Sequence, residues 1–407
     1  MTYQHYIGLD VHKQFVFATK LDSAGQVVKQ WRFATTSKAL KSFAASLTKH
    51  DALCLESTTN AVAIYRLIRR QADRVVISNP LQTKAIASAK IKTDKVDSRV
   101  LAELLRAEYL PTVWVPDDYT IRLRGLTSYR TALIRQRSQL KNRIHAILHR
   151  NLVAKPEVSD LFGKQGKAFL EQVKLPADER FQMDQELLLL NVLNAQITDA
   201  DKRIAQTTID TPQMRLLLTI PGFSLQVAAG VLAAIGTISR FGEPDKLVSY
   251  LGLDPLGKRS ADHAFGPTRI SKRGRSHARW LLVEAAHATV RCPGPLQAFY
   301  LRLRKKKAHN KAVCAVARKL VVLIWQMLTK DQPYSWAPPL RTHEKIRHIQ
   351  IMAGKPKQKA GSKSGQPSKG GRRAYLQRRQ ADHDMARLAQ AQYEQLVALR
   401  AKSAKGT

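Results

Sequence analysis

The sequence predicts a mixed α/β domain at the N-terminus, followed by a mostly α-helical chain. Short apolar runs alternate with amphipathic stretches up to about residue 110, which is typical of strands alternating with helices. Beyond that point long amphipathic segments dominate, and Pro and Gly residues separate them. A chain of 407 residues is long enough for two or three domains, each with its own core.

The predicted N-terminal domain covers residues 1–115. Its expected strands are 6–19, 26–34, 52–56 and 74–78, with a turn at Ser23-Ala-Gly25 between the first two. Its expected helices are 37–49, with Ser37 as N-cap, 60–71 and 94–108. Two opening strands followed by strand, helix, strand and helix suggest a mixed sheet of the ribonuclease H type.

Four carboxylates in this domain lie where a metal-dependent nuclease would need them. Asp10 and Glu56 each end a short apolar run, and Asp94 and Asp97 share one face of a predicted helix because they are three residues apart. Hard divalent cations prefer such oxygen ligands, and cations held in this way promote phosphoryl transfer. Taken singly, Asp10 could be a turn residue and Asp94 or Asp97 a helix cap. The complete set favours a Mg²⁺ or Mn²⁺ site.

Residues 116–210 are predicted to form a basic helical linker. Its helices, 119–151 and 181–208, are joined by a Gly- and Lys-rich loop at 163–167, as in a helical hairpin or coiled-coil arm. The first helix contains no acidic residue, so its cations are candidates for contacts with nucleic-acid phosphates. An intramolecular hairpin with a solvated basic face is the alternative. The candidates are Arg122, Arg124, Arg130, Arg135, Arg137, Lys141 and Arg143.

The third predicted domain, residues 211–332, is mostly helical. Its Pro-Gly turn at 217–224 resembles a helix-hairpin-helix, whose backbone amides can bind phosphate, although a plain helical corner would use the same residues. Ser260 lies in a Gly- and Pro-rich loop followed by a basic cluster. A serine that attacks phosphate needs such cations, but serine in a basic loop is also a common turn or phosphate-contacting residue. The cluster comprises Arg269, Lys272, Arg273 and Arg275.

The last segment, residues 333–407, is expected to be a basic tail. Residues 353–373 have the composition of a disordered linker, and a terminal helix is expected at about 374–401. The whole chain carries a formal net charge of +37, which indicates a polyanionic partner, with nucleic acid ahead of a membrane surface. No segment approaches eighteen uninterrupted apolar residues.

The three cysteines are scattered along the chain and form no metal-binding pair. An odd number at these spacings indicates a reducing compartment, and we expect a bacterial cytoplasmic protein that works at the nucleoid. Composition alone does not separate an enzyme from an architectural binding protein.

Six motifs, in this order, together resemble the insertion-sequence one-ten family of transposases. They are Ile7-Gly-Leu-Asp-Val-His-Lys13, Leu55-Glu-Ser-Thr58, Lys92-Thr-Asp-Lys-Val-Asp-Ser-Arg99, Ile220-Pro-Gly222, Tyr250-Leu-Gly-Leu-Asp-Pro255 and Arg269-Ile-Ser-Lys-Arg-Gly274. The resemblance covers about residues 5–329. Members of this family are bridge-RNA-guided recombinases related to the Piv pilin-gene invertase.

This resemblance implies a RuvC-like domain, a coiled-coil linker and a C-terminal domain with a catalytic serine. The family's Asp-Glu-Asp-Asp set falls on Asp10, Glu56, Asp94 and Asp97, and its serine falls on Ser260. In many relatives glycine follows this serine, whereas here Ala261 does, which leaves Ser271 as a weaker candidate nucleophile. The basic tail after residue 333 has no counterpart in the family pattern.

The function implied by the resemblance is Mg²⁺-dependent DNA recombination for a mobile element, through a phosphoserine intermediate. A structured non-coding bridge RNA would pair with double-stranded donor and target DNA. Carboxylates and serine would come from different subunits of a homo-oligomer, a dimer or a tetramer. Two alternatives remain at this stage: a metal-only nuclease or junction resolvase of the RuvC type, and an inactive nucleic-acid-binding protein.

Overall fold

The computed structural model describes residues 3–86, 93–154, 156–260, 263–357 and 369–403, without the side chains of residues 257–268, 369–370 and 400–403. The chain divides into two compact units after Pro116. The first unit is a mixed α/β domain and the second is almost entirely helical, as predicted for the two parts of the chain.

The described residues of the first unit form one six-stranded sheet and four helices. The strands are β1 (His5–Val11), β2 (Phe15–Asp22), β3 (Val27–Ala34), β4 (Asp51–Glu56), β5 (Arg74–Ser78) and β6 (Thr112–Val113). The helices are α1 (Ser37–Ala45), α2 (Ala61–Ile68), α3 (Pro80–Ile86) and α4 (Asp94–Arg106). The strand order is β3-β2-β1-β4-β5-β6, in which β1, β4 and β5 are parallel and the remaining pairs are antiparallel.

The single opening strand expected at 6–19 is wrong. The chain turns back at residues 12–14, so that Val11 pairs with Val16 and the His12 amide donates to the Phe15 carbonyl at 2.9 Å. No Gly, Pro or Asn marks this turn, which is why the sequence did not reveal it. Ser37 is also not the cap of α1, because Thr36 accepts the hydrogen bond from the Ala39 amide.

Side chains along the central strands alternate between the two faces of the sheet, and each face packs against different helices. Ile7 and Leu9 of β1 pack in the core beneath α1 and α2. Tyr6 of β1 and Cys54 of β4 pack instead against α4, where the Cys54 thiol donates to the Leu101 carbonyl at 3.2 Å. Even-numbered positions of β1 and β4 therefore face α4.

Helix α4 approaches the sheet most closely at Gly8. A Cβ atom at this position would lie 2.0 Å from the Ser98 carbonyl oxygen and 2.7 Å from the Ala102 nitrogen. The contact is reinforced beside it by a hydrogen bond of 2.7 Å between the Thr19 and Ser98 hydroxyls. Glycine thus sets the distance between the helix and strand β1.

The second unit begins with an antiparallel helical hairpin of α5 (Asp118–Arg150) and α7 (Ala177–Thr208). Residues 163–167, expected as a loop, instead begin a short helix, α6 (Lys164–Gln172). Cations of α5 meet acids of α7 along the hairpin: Arg130 pairs with Asp201 and Arg143 with Glu186, each at 2.5 Å. These ion pairs agree with the alternative prediction for residues 116–210, an intramolecular helical hairpin.

Where the structure describes it, the remainder of the second unit is a helical bundle with one β-hairpin. The helices are α8 (Pro212–Leu218), α9 (Leu225–Ile235), α10 (Pro244–Tyr250), α11 (Ser276–Thr289), α12 (Pro295–Arg304), α13 (His309–Lys330), α14 (Pro339–Met352) and α15 (Lys369–Ser403), with a 3-10 turn at Ile238–Arg240. The loop expected around Ser260 is in fact the hairpin of β7 (Pro255–Ser260) and β8 (His263–Ile270). Residues 358–368 of the predicted disordered linker lie outside the described residues.

Helix α13 lies at the centre of this bundle. It is the one helix in the described part of the chain that is long and apolar enough to cross a membrane. Its Val316, Leu320 and Ile324 are fully buried in the main core of the unit. Packing in this core accounts for the apolar face of the helix.

The Pro-Gly turn between α8 and α9 packs against α11. Gly222 has a φ of +84°, and a Cβ atom there would lie 2.7 Å from the Thr289 hydroxyl. The same hydroxyl donates to the Pro221 carbonyl at 2.7 Å. These contacts explain the turn as a packing element, and its expected role in phosphate binding stays a prediction.

Candidate active site

Two of the predicted carboxylates lie at the ends of neighbouring parallel strands. Asp10 is the sixth residue of β1 and is 8% exposed, and Glu56 is the last residue of β4. Leu9 is in register with Leu55, so Asp10 and Glu56 follow at adjacent positions. Both are even-numbered and therefore belong to the sheet face that α4 covers.

The other two carboxylates lie in the first turn of α4. The N-cap is Thr93, whose hydroxyl accepts a hydrogen bond from the Val96 amide at 3.3 Å. Capping therefore does not explain Asp94 or Asp97. Their position at a helix N-terminus does stabilise their negative charges through the helix dipole. The cluster therefore gathers acids from two strands and one helix.

His12 links the strand to the helix at this site. Its Nε2 lies 3.0 Å from Asp10 Oδ2 and 3.0 Å from Asp94 Oδ1. One ligand atom from each of these three residues lies within 4.8 Å of the others, as a shared metal ion would require. Glu56 and Asp97 are outside this tight group.

The sequence reasoning did not single out His12 as a functional residue. The sequence did contain an indication of its position. A residue two positions beyond Asp10 on an extended segment projects from the same face as Asp10, so His12 could have been expected beside that carboxylate.

The electrostatics of the site disfavour a full set of negative charges. Burial raises the pKa of the Asp10 carboxyl, the nearby charges of Asp94 and Asp97 raise it further, and His12 opposes both effects. A divalent cation would relieve this repulsion. Two carboxylates and an imidazole form a suitable partial ligand set, which water or a substrate phosphate would complete.

The predicted nucleophile lies at the end of strand β7. Ser260 is the last residue of this strand, and its side chain lies outside the part of the molecule that the structure describes. Ser271, the weaker candidate, donates its hydroxyl proton to the Asp254 carboxylate and accepts a hydrogen bond from the Arg273 amide at 3.3 Å. Ser271 thereby ties the loop after β8 to the loop before β7.

The basic cluster near these serines is open to solvent. Arg269, Lys272, Arg273 and Arg275 are all exposed. The Arg275 guanidinium also donates to the Tyr250 hydroxyl at 3.0 Å. Burial would raise the pKa of Tyr250, but the charges of Arg275 and Arg240 outweigh it and lower that pKa. Exposed guanidinium and ammonium groups such as these are common donors to phosphate oxygens.

The predicted phosphate-binding cations of α5 fall into two groups. Some have partners within the second unit: Arg124 donates to the Ala233 carbonyl at 2.7 Å, Arg130 and Arg143 pair with α7, and Arg137 contacts Asn194 at 3.4 Å. Lys141 lies 4.3 Å from the centre of the Phe162 ring. Arg122 and Arg135 are exposed. The exposed residues are the better placed for an external phosphate.

Two family models match the chain. The DEDD transposase model named for IS110 matches residues 7–151, which include all four carboxylates. The transposase model of the IS116/IS110/IS902 family matches residues 214–301, which include both candidate serines. The two matches together span more than half of the chain.

Several curated proteins are similar over most of their own length. An uncharacterized 44.8 kDa protein of insertion element IS116 from Streptomyces clavuligerus is 25% identical over 61% of this chain and 74% of its own. The transposase for insertion sequence element IS1111A from Coxiella burnetii is 24% identical, with coverage of 81% and 90%. The transposase for IS1328 from Yersinia enterocolitica is 22% identical, with coverage of 81% and 98%. The chain belongs to the IS110/IS116/IS902 family of transposases, and its acidic cluster lies in the DEDD domain of that family.

Proposed function

We propose that this transposase cuts and rejoins DNA through a phosphoserine intermediate, at a site where its N-terminal carboxylates hold a divalent cation. The observation that carries the proposal is the approach of Asp10 and Asp94, from a strand end and a helix N-terminus, to the same His12 nitrogen. The sheet itself does not need such a group of charged side chains at its strand ends, whereas metal-dependent phosphoryl transfer uses one.

The strand order supports a RuvC-like, ribonuclease H-type first unit. Three antiparallel strands lead into two parallel ones, and the acids lie at the ends of β1 and β4 beneath α4. A bound Mg²⁺ or Mn²⁺ would supply Lewis-acid stabilisation of the charge that develops on the phosphate oxygens. Asp10 and Asp94 would be its main ligands, with Glu56 and Asp97 completing the acidic set.

Ser260 is the proposed nucleophile. Its hydroxyl oxygen would form a bond to phosphorus while the bond from phosphorus to one bridging sugar oxygen breaks. The serine proton is lost to a base or water, and the departing sugar oxygen takes up a proton. The cations Arg269, Lys272 and Arg273 would hold the non-bridging oxygens. Reversal by a sugar hydroxyl of the second DNA would restore the serine and complete strand exchange.

The partners follow from the charge of the chain and the resemblance of its motifs. The excess of 37 positive charges fits a polyanionic partner, and we propose double-stranded donor and target DNA together with a non-coding bridge RNA. A homo-oligomer, a dimer or a tetramer, would bring carboxylates and serine from different subunits to one phosphate. Binding should weaken by orders of magnitude between about 50 and 200 mM salt.

Trapping of DNA on the protein tests the proposal. Wild-type protein, incubated with Mg²⁺, the encoded RNA and labelled DNA, should carry label that survives denaturation and maps to the peptide containing Ser260. Ser260→Ala should abolish the adduct, whereas Ser271→Ala should retain it. Asp94→Asn should abolish both cleavage and adduct, because it removes a ligand oxygen charge.

The alternatives give different results in the same experiment. If the protein is a metal-only nuclease, its Ser260→Ala variant would still cleave DNA, and no protein–DNA adduct would form. An inactive binding protein would cleave nothing, and Asp94→Asn would change only its stability. An adduct that moves to Ser271 would overturn the assignment of the nucleophile.

A further inference from the structure

The C-terminal tail forms one wall of a cationic cleft in the second unit. The cleft has a volume of about 750 Å³. Its other walls are the turn between α8 and α9, the connection between α11 and α12, and the start of α14. Ligand-binding pockets commonly enclose about 300–1,000 Å³, so this cleft is large enough for a nucleotide.

Five cationic side chains line this cleft: Arg291, Arg341, Lys345, Arg373 and Arg379. None of them forms an ion pair with a residue that the structure describes. A concentration of unneutralised cations is unfavourable without a counter-ion, so the cleft favours an anionic ligand.

One acidic residue also lines the cleft, and it is already engaged. Asp382 is 8% exposed and accepts hydrogen bonds from the Leu340 and Arg341 amides at 3.3 and 3.1 Å. This carboxylate therefore caps the N-terminus of α14 and does not neutralise the side chains across the cleft. Lys345 is likewise held in place, because its ammonium donates to the Leu218 and Ile220 carbonyls at 2.7 and 2.9 Å.

Part of the remaining lining is apolar. Pro221, Trp336, Pro338 and Leu376 present hydrocarbon and aromatic surface to the same space. A simple inorganic anion would leave this surface unused. Phosphate joined to a flat base matches both halves of the lining, since bases stack on aromatic side chains while cations contact the backbone.

We propose that this cleft binds a single-stranded segment of nucleic acid and accepts one unstacked nucleotide between the tail helix α15 and Trp336. The inference rests on the proposed function in taking nucleic acid as the partner, and it assigns a binding role to the tail. The exposed, basic α15 would follow the strand on either side of the inserted nucleotide.

The test compares two pairs of substitutions on α15 in the full-length chain. Arg373→Gln with Arg379→Gln removes two cations from the cleft. Arg378→Gln with Arg387→Gln is the matched control, because both residues are exposed on the same helix and neither lines the cleft. Binding of a twelve-nucleotide RNA or DNA strand, with one central 5-iodouracil, is measured by fluorescence anisotropy at several salt concentrations.

We expect the cleft pair to weaken binding at least about tenfold more than the control pair. The plot of log K against log salt should become shallower by about 1.4, since each phosphate contact on a single strand contributes about 0.7. Irradiation should crosslink the iodouracil to Trp336 or to residues 376–386. RNA and DNA arms show which strand is preferred, and binding of either supports the inference.

Equal affinities of the two variant pairs would overturn the inference, as would crosslinks confined to other peptides. Free adenosine monophosphate that binds as tightly as the twelve-nucleotide strand would also overturn it, because a strand would then be unnecessary. These outcomes do not affect the proposed function. The trapping experiment depends on Asp94 and Ser260, neither of which lines the cleft.

Discussion

Substitution of Gly8 by alanine should distort the active site by pushing helix α4 away from strand β1. The added Cβ atom would lie 2.0 Å from the Ser98 carbonyl oxygen, whereas ordinary contact begins at 3.4 Å. Both obstructing atoms, this oxygen and the Ala102 nitrogen, belong to the backbone of α4, so no side-chain rotation relieves the clash. The helix must move away from the sheet by more than about 1 Å, and such overpacking costs about 1–3 kcal/mol.

The displacement also carries Asp94 away from Asp10. Because a shift of about 1 Å in a catalytic group can cost about a hundredfold in rate, Gly8→Ala should lower DNA strand cleavage by that order. Hydrogen exchange followed by mass spectrometry measures the stability loss locally, in peptides from β1 and α4.

Gly125→Ala provides the matched control. Gly125 lies within α5, and an added Cβ there would meet no heavy atom within 4 Å. Alanine should therefore stabilise that helix by about 0.5–1 kcal/mol. If Gly8→Ala kept wild-type protection in β1 and α4 and cleaved DNA normally, the close approach would not set the active-site geometry.

Three further substitutions affect other parts of the molecule. His12→Ala removes the imidazole of the partial ligand set together with its contacts to the two carboxylates. The metal-free protein should lose about 1 kcal/mol, and Mg²⁺ should raise its melting temperature less than it raises that of the wild type; an equal or larger rise would contradict this. Arg130→Met leaves the half-buried carboxylate of Asp201 without its cation, so the free energy of unfolding measured by urea denaturation should fall by about 2 kcal/mol. Arg122 is exposed, and Arg122→Met should change that free energy by no more than about 0.5 kcal/mol. Burial lowers the pKa of Lys345 from 10.5 to about 8, so between these pH values the folded chain binds fewer protons than the unfolded chain and stability should rise with pH. Denaturation of wild type and Lys345→Met at pH 7.5 and 10 checks this, because only the wild type should show that part of the rise.

The sequence predicted those elements whose signals are local. The strand expected at 74–78 is β5, and the strand expected at 52–56 is β4, which begins one residue earlier, at Asp51. Both could be predicted because polar residues flank each apolar run. The mixed sheet followed by helices is confirmed for the same reason. The acids of α4 were recognisable from their spacing along one helical face, and Asp10 and Asp94 do converge.

The missed features depend on contacts between distant residues. The turn at 12–14 forms because β1 pairs with β2 on one side and β4 on the other, and its own residues give no turn signal. The hairpin of β7 and β8 is rich in Gly and Pro, so it resembled a loop. Partners of individual cations, such as the α7 acids that neutralise Arg130 and Arg143, become visible only when the two helices are in register.

The parallel pairing of β1 and β4 limits which changes in chain length the enzyme can survive. Side chains alternate between the faces of a strand, so deletion or insertion of one residue before Asp10 or Glu56 would turn that acid into the apolar layer beneath α1 and α2. A change of two residues would restore the face but shift the acid by about 7 Å along the strand. Insertions and deletions should therefore be confined during evolution to the connections between helices and strands. Strands β1 and β4 should keep a constant length in every protein of this fold that retains the acidic site.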